Sequence, residues 1–136
     1  MFAYVFRAPP AGGDAGFRLP AQFADRFLLV TGQGPAAVRD ASRVGALLEL
    51  RGKKNLRLIV NRVDKSMLGT VCLTIDDVMD AAGLPLAGIV PEDPHVTLAA
   101  SFGQSLLRYS PNCKAARACR RIARRIQGFH EPIALR

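Results

Sequence analysis

Two short apolar runs, each ending in an abrupt polar cluster, constrain this chain more than any other feature. The first is Leu56-Arg57-Leu58-Ile59-Val60, followed by Asn61 and Arg62; the second is Leu86-Ala87-Gly88-Ile89-Val90, followed by Pro91, Glu92 and Asp93. A run of this length and apolarity reads as a strand of a parallel sheet, covered by helices on both faces. Ligands of such sheets bind in the crevice past the carboxyl ends of the strands. Asn61, Arg62, Pro91, Glu92 and Asp93 would then share one rim, offering amide, guanidinium and carboxylate groups. Spacing alone favours a plainer reading, in which polar residues end the strands as they surface.

The remaining segments alternate in the manner of an α/β fold. Tyr4 to Arg7 is strand-like, Ala8 to Gly16 is a Pro/Gly loop, and Leu19 to Asp25 makes a weak helical turn. Phe27 to Thr31 reads as a buried strand. Pro35 suits a helix start, where its missing N–H is not needed. The helix then runs from Ala36 to Arg51 with Val38, Ala41, Val44, Leu47 and Leu48 turned inward, and Gly52 ends it. Leu56 to Asn61 is the next strand and Arg62 to Leu73 a loop. Thr74-Ile75-Asp76-Asp77 has the spacing of a capping box, and Gly83 closes the helix it opens. Asp93-Pro94 offers a cap for a helix through about Ser101. Ser110-Pro111 repeats the device before a last helix ended by Gly128. The expectation is one domain over residues 1–136, with a mainly parallel sheet of about four strands flanked by helices.

Charge is the strongest global signal. The chain of 136 residues carries 19 Lys and Arg against 11 Asp and Glu, a net charge of +8. Much of the excess falls at Lys114, Arg117, Arg120, Arg121, Arg124 and Arg125. Positions 114, 117, 121 and 124 share a helix face, with Cys119, Ile122, Ala123 and Ile126 opposite, suited to packing on a sheet. A solvated basic face is the plainer reading; contact with a phosphate backbone or anionic lipid is the functional one. No stretch approaches the ~18 apolar residues of a membrane span and no signal-peptide pattern opens the chain, so a cytoplasmic location is the default expectation. Cys72, Cys113 and Cys119 lack a C-x-x-C pair or a His-rich partner set, so reduced thiols and no metal site are expected. His95 and His130 read as surface histidines.

Several blocks, in order, resemble a known family. Arg26-Phe27-Leu28-Leu29-Val30-Thr31 precedes Ala37-Val38-Arg39-Asp40-Ala41-Ser42-Arg43, and Leu84 to Asp93 follows as Leu-Pro-Leu-Ala-Gly-Ile-Val-Pro-Glu-Asp. Arg121-Ile122-Ala123-Arg124-Arg125-Ile126, then Gly128, matches a final helix. Together, from about Tyr4 to Pro132, they are similar to the carboxy-terminal half of MinD/ParA-type deviant Walker ATPases, the MinD branch best. The resemblance implies a partial P-loop NTPase fold, ATP and Mg as family cofactors, and a parental role in septum-site placement during cell division. It places Asn61, Arg62, Pro91, Glu92 and Asp93 at the adenine pocket. Val38, Arg39, Asp40 and Arg43 match the helix start that meets regulatory proteins of the MinC and MinE kind near a homodimer interface.

Departures from the family pattern temper this. No Gly-x-x-x-x-Gly-Lys-Ser/Thr occurs, and the resemblance places that phosphate-binding loop ahead of residue 1. Gly12-Gly13-Asp14-Ala15-Gly16 carries no Lys and cannot serve as the loop. Pro10 and Gly12 keep two positions of the Walker-B turn, but Ala8 stands where an Asp would help hold Mg²⁺. Ser42 replaces a second Asp in the partner motif, and the family's amphipathic membrane tail would lie beyond Arg136. The expectation is a truncated or degenerate ATPase portion with no catalytic residue of its own, weak or absent nucleotide binding, and no hydrolysis alone. The alternative is a non-enzymatic module that binds a protein partner or, less favoured, nucleic acid through its basic surface.

Overall fold

The computed structural model describes residues 4–9 and 20–133. Its strands β1 (Phe27–Thr31), β2 (Leu56–Val63) and β3 (Leu86–Pro91) form one parallel sheet in the order β1-β2-β3. Helix α1 (Pro35–Leu50) connects β1 to β2, and α2 (Ile75–Ala82) connects β2 to β3. Three more helices follow: α3 (Pro94–Ser101), α4 (Leu106–Tyr109) and α5 (Lys114–Ile126). Register runs from Phe27 opposite Leu56 to Thr31 opposite Val60. Between β2 and β3, Leu58 pairs with Leu86 and Val63 with Pro91, and the ladder is irregular after Val60.

The main core lies between the sheet and the α1–α2 pair. Leu29, Leu56, Leu58, Val60 and Val63 meet Val38, Ala41 and Leu48 of α1 and Val78 and Ala82 of α2. Burying a side chain such as Leu58, which is 0% exposed, contributes about 1.5–3 kcal/mol. On the opposite face α5 covers β3, at Gly88. A Cβ there would lie 2.3 Å from Ile122 Cγ1, so helix and strand approach as closely as only glycine allows.

Local signals placed several boundaries correctly. Thr74 and Asp77 form the reciprocal capping box, and Gly83 ends α2 with φ 66°. Asp93 caps α3, with Pro94 in its first turn.

Tertiary context overruled others. Residues 4–9 form no strand, and Val5 and Phe6 are exposed, so the sheet has three strands among the described residues, not about four. Arg7 resists burial in a central strand, and Pro9 lacks a ladder donor. Most of the Ala8–Gly16 loop lies outside the described residues; helix appears at 20–23. Among the described residues the sheet is also not covered on both faces throughout, since α5 reaches β3 while Val30 is 61% exposed and Arg57 is exposed. On α1, Leu47 faces outward and Val44 is half-buried.

β2 outlasts its apolar run and includes Asn61 and Arg62, and a 3-10 turn at Lys65–Met67 interrupts the expected loop. Helix α5 is capped by Cys113, not by Ser110-Pro111. Its buried residues are Ala115, Ala116 and Ile122, whereas Cys119 and Ala123 are exposed. Small alanines let the start of the helix sit close, which rotates the expected stripe. Among the described residues, no helix is long and apolar enough to cross a membrane.

Candidate functional site

The rim at the carboxyl ends of β2 and β3 is built by an irregularity in β2. Val63 regains register with Pro91, and the Glu92 N–H donates to the Val63 carbonyl at 2.9 Å. In between, Arg62 takes φ 55°, a left-handed conformation that costs a non-glycine residue about 1 kcal/mol or more. This turn brings Arg62 Nε within 2.9 Å of Glu92 Oε2, where it donates. With the side chains 78% and 47% exposed, the pair contributes less than about 1 kcal/mol, so it orients the rim more than it stabilises it. Asn61 and Pro91 are half-buried beside it. Asn61, Arg62, Pro91 and Glu92 therefore stand together, as the sequence led one to expect.

Asp93 departs from that expectation. It is 6% exposed, and its carboxylate accepts from the backbone N–H groups of His95 (3.0 Å) and Ala115 (3.1 Å). Its Oδ1 also lies 2.7 Å from His95 Nδ1. Burial pushes its pKa up, but hydrogen bonds from Ala115, His95 and Cys113 outweigh that and hold the carboxyl well below the usual range. One side chain thus joins the starts of α3 and α5.

Sequence reading missed Gln33. Its side-chain amide donates to the Asp64 carbonyl at 3.2 Å and its Oε1 accepts from the Asp64 N–H at 2.7 Å. The Gln33 carbonyl accepts from Leu73 N–H at 3.3 Å. At 7% exposure this residue ties the segment after β1 to the segment after β2. A lone amide between Gly32 and Gly34 was the available signal. Asp64 caps the following turn through Ser66, and the hydrogen bonds from the Ser66 side chain and backbone lower its pKa.

The α1 cluster divides. Arg39, Asp40 and Arg43 are exposed on the first turns, but Val38 is 1% exposed and belongs to the core, so it cannot meet a partner. Ala8 lies exposed in irregular chain. On α5, Arg124 pairs with Glu131 and stacks on Phe129, with its guanidinium carbon 4.9 Å from the ring centroid. Arg125 turns inward and donates to the Ala87 carbonyl at 2.7 Å. Burial pushes its pKa down, partly offset by Glu131.

Cys72, Cys113 and Cys119 are free thiols, the first two part-buried. His95 has Asp93 as an ordered partner, and Cys113 completes a group whose donor atoms all lie within 4.8 Å of one another. Asp93 and His95 are two residues apart, whereas Cys113 lies at the start of α5, so the fold brings it to them. His130 is exposed, as expected.

No protein-family model matches the chain. A parallel α/β sheet with its polar rim at the carboxyl ends is an arrangement shared with the P-loop NTPase fold of the solved structures that this chain matches. The particular likeness is to MinD. The chain is 34% identical over 132 residues to the septum site-determining protein MinD of Synechocystis, covering 96% of this chain and 50% of that protein. It superposes on the MinD cell division protein of Aquifex aeolicus with a TM-score of 0.85 and 31% identity, over 93% of this chain and 53% of that one. The same protein in a MinC:MinD complex gives 0.85 and 32%, over 92% and 52%. The Pyrococcus horikoshii MinD complexed with Mg-ADP shares the fold, with a TM-score of 0.77 and 24% identity over 87% and 47%. The chain is similar to MinD proteins and spans about half the length of those it matches.

Proposed function

We propose that this chain supplies the base-side wall of a MinD-like nucleotide switch that acts in placing the division septum. The grouping of Asn61, Arg62, Pro91 and Glu92 on one rim carries the reading. An amide can pair with the adenine edge while an arginine stem and a proline ring pack against its face. Fixation by Gln33 and the left-handed turn at Arg62 supports a preorganised surface. The phosphate grip is a separate matter, because no P-loop motif occurs among the 136 residues. Ala8 offers no carboxylate to Mg²⁺. The chain by itself then binds ATP weakly and does not hydrolyse it. Mg-ADP in the Pyrococcus relative supports nucleotide as the ligand class.

The exposed ends of Arg39, Asp40 and Arg43 offer alternating charge to a MinC-type regulatory protein, a reading supported by the MinC:MinD complex of the Aquifex relative. Nucleic-acid contact through α5 is the weaker alternative, since Arg124 and Arg125 are committed within the fold. Production of the chain in a rod-shaped bacterium should titrate such a partner and shift septa toward the poles. Exchanging the charges by Arg39→Asp with Asp40→Arg should restore medial septa at equal protein level and unchanged circular dichroism. Unshifted septa with the original chain, or equal displacement by the exchanged variant, would count against the role.

A further inference from the structure

We propose that Asp93, His95 and Cys113 form a site for a thiophilic divalent cation of the zinc class. The three side chains supply a carboxylate oxygen, an imidazole nitrogen and a sulfur, the donor set such an ion prefers. Their ligating atoms lie within 4.8 Å of one another. Tetrahedral zinc holds such donors roughly 3.3–3.6 Å apart, so the 2.7 Å Asp93–His95 contact would open slightly while the wider separations close.

The surroundings permit that closure. Asp93 Oδ2 is engaged by the Ala115 N–H, while Oδ1 faces His95 Nδ1 across 2.7 Å. An ion would replace this contact and the Cys113 hydrogen bond to the carboxylate, and leave the Ala115 N–H on Oδ2. The His95 side chain is 46% exposed, so it can swing, and water reaches a fourth coordination position. Cys113 sits at the start of α5, where its sulfur accepts the Ala116 N–H at 3.4 Å. On binding, the Cys113 S–H bond breaks, a sulfur–metal bond forms, and the proton passes to solvent. The site would clip the loop after β3 to α5, independently of any nucleotide at the rim.

Cobalt(II) is the direct probe. Titrated into the reduced chain, it should produce a near-ultraviolet thiolate-to-cobalt absorption that saturates at one equivalent and is displaced by zinc. Cys113→Ser should abolish the band while keeping the fold, because serine is a favoured helix cap. His95→Ala should weaken the apparent affinity on the order of tenfold or more. A variant with Cys72→Ser and Cys119→Ser should retain the full band. The proposal fails if excess cobalt gives no thiolate band, if Cys113→Ser or His95→Ala leaves it unchanged, or if the Cys72/Cys119 variant loses it.

Discussion

Asp93 shows how one side chain can hold more of a structure than its place in a motif suggests. Its carboxylate accepts two backbone N–H groups from different helices and touches His95. Asp93→Ala leaves these donors unsatisfied and should cost about 2–4 kcal/mol at neutral pH in urea unfolding. Because the folded-state pKa lies below the unfolded one, this stabilisation is complete above the ordinary carboxylate range and drains away as pH falls below it. The gap between wild type and variant should therefore narrow in melts taken below about pH 3. Arg62 illustrates the opposite economy, a residue held in strain on a rim. Arg62→Gly relieves the left-handed backbone and loses only an exposed ion pair. Its urea midpoint should match or exceed the original, with a gain of up to about 1 kcal/mol, while the variant contacts adenine nucleotide less well. A marked loss of stability would mean the Arg62–Glu92 pair carries structure.

Among the elements, β3 and α5 depend on each other most closely. Gly88→Ala places a methyl group 2.3 Å from Ile122 Cγ1 and 2.8 Å from Cδ1, and α5 must move. The expected cost is about 1–3 kcal/mol in chemical denaturation, and Ile122→Ala in the same chain should recover part of it. Full additivity of the two substitutions would refute the contact. This pairing was half legible beforehand: Ile122 was expected on the sheet-facing side of α5 with Cys119, Ala123 and Ile126, but Gly88 looked like one more member of an apolar run. Elements fixed by local chemistry were legible. The capping box of α2, its Gly83 terminus and the Asp93-Pro94 start of α3 require only near neighbours in sequence. The cap at Cys113, the inward turn of Arg125 and the clamp by Gln33 rest on partners far along the chain, which periodicity does not report.

For the whole molecule, the strand order and the rim follow from the alternation of apolar runs and helices, so the class of fold was readable early. Coverage of the sheet was not, because it depends on what packs beside β1, where Val30 stands 61% exposed. The site divided along the same line: Asn61, Arg62, Pro91 and Glu92 gather because parallel strands end together, whereas Asp93 is buried by its contact with the start of α5 and Val38 by the core side of α1. A heteronuclear NMR titration of the chain with ATP, with and without Mg²⁺, examines the rim directly. The account predicts fast-exchange shifts centred on Asn61, Arg62 and Glu92, saturating in about the millimolar range and insensitive to Mg²⁺. Mg²⁺-dependent binding in about the micromolar range, or shifts gathered on another face, would contradict it.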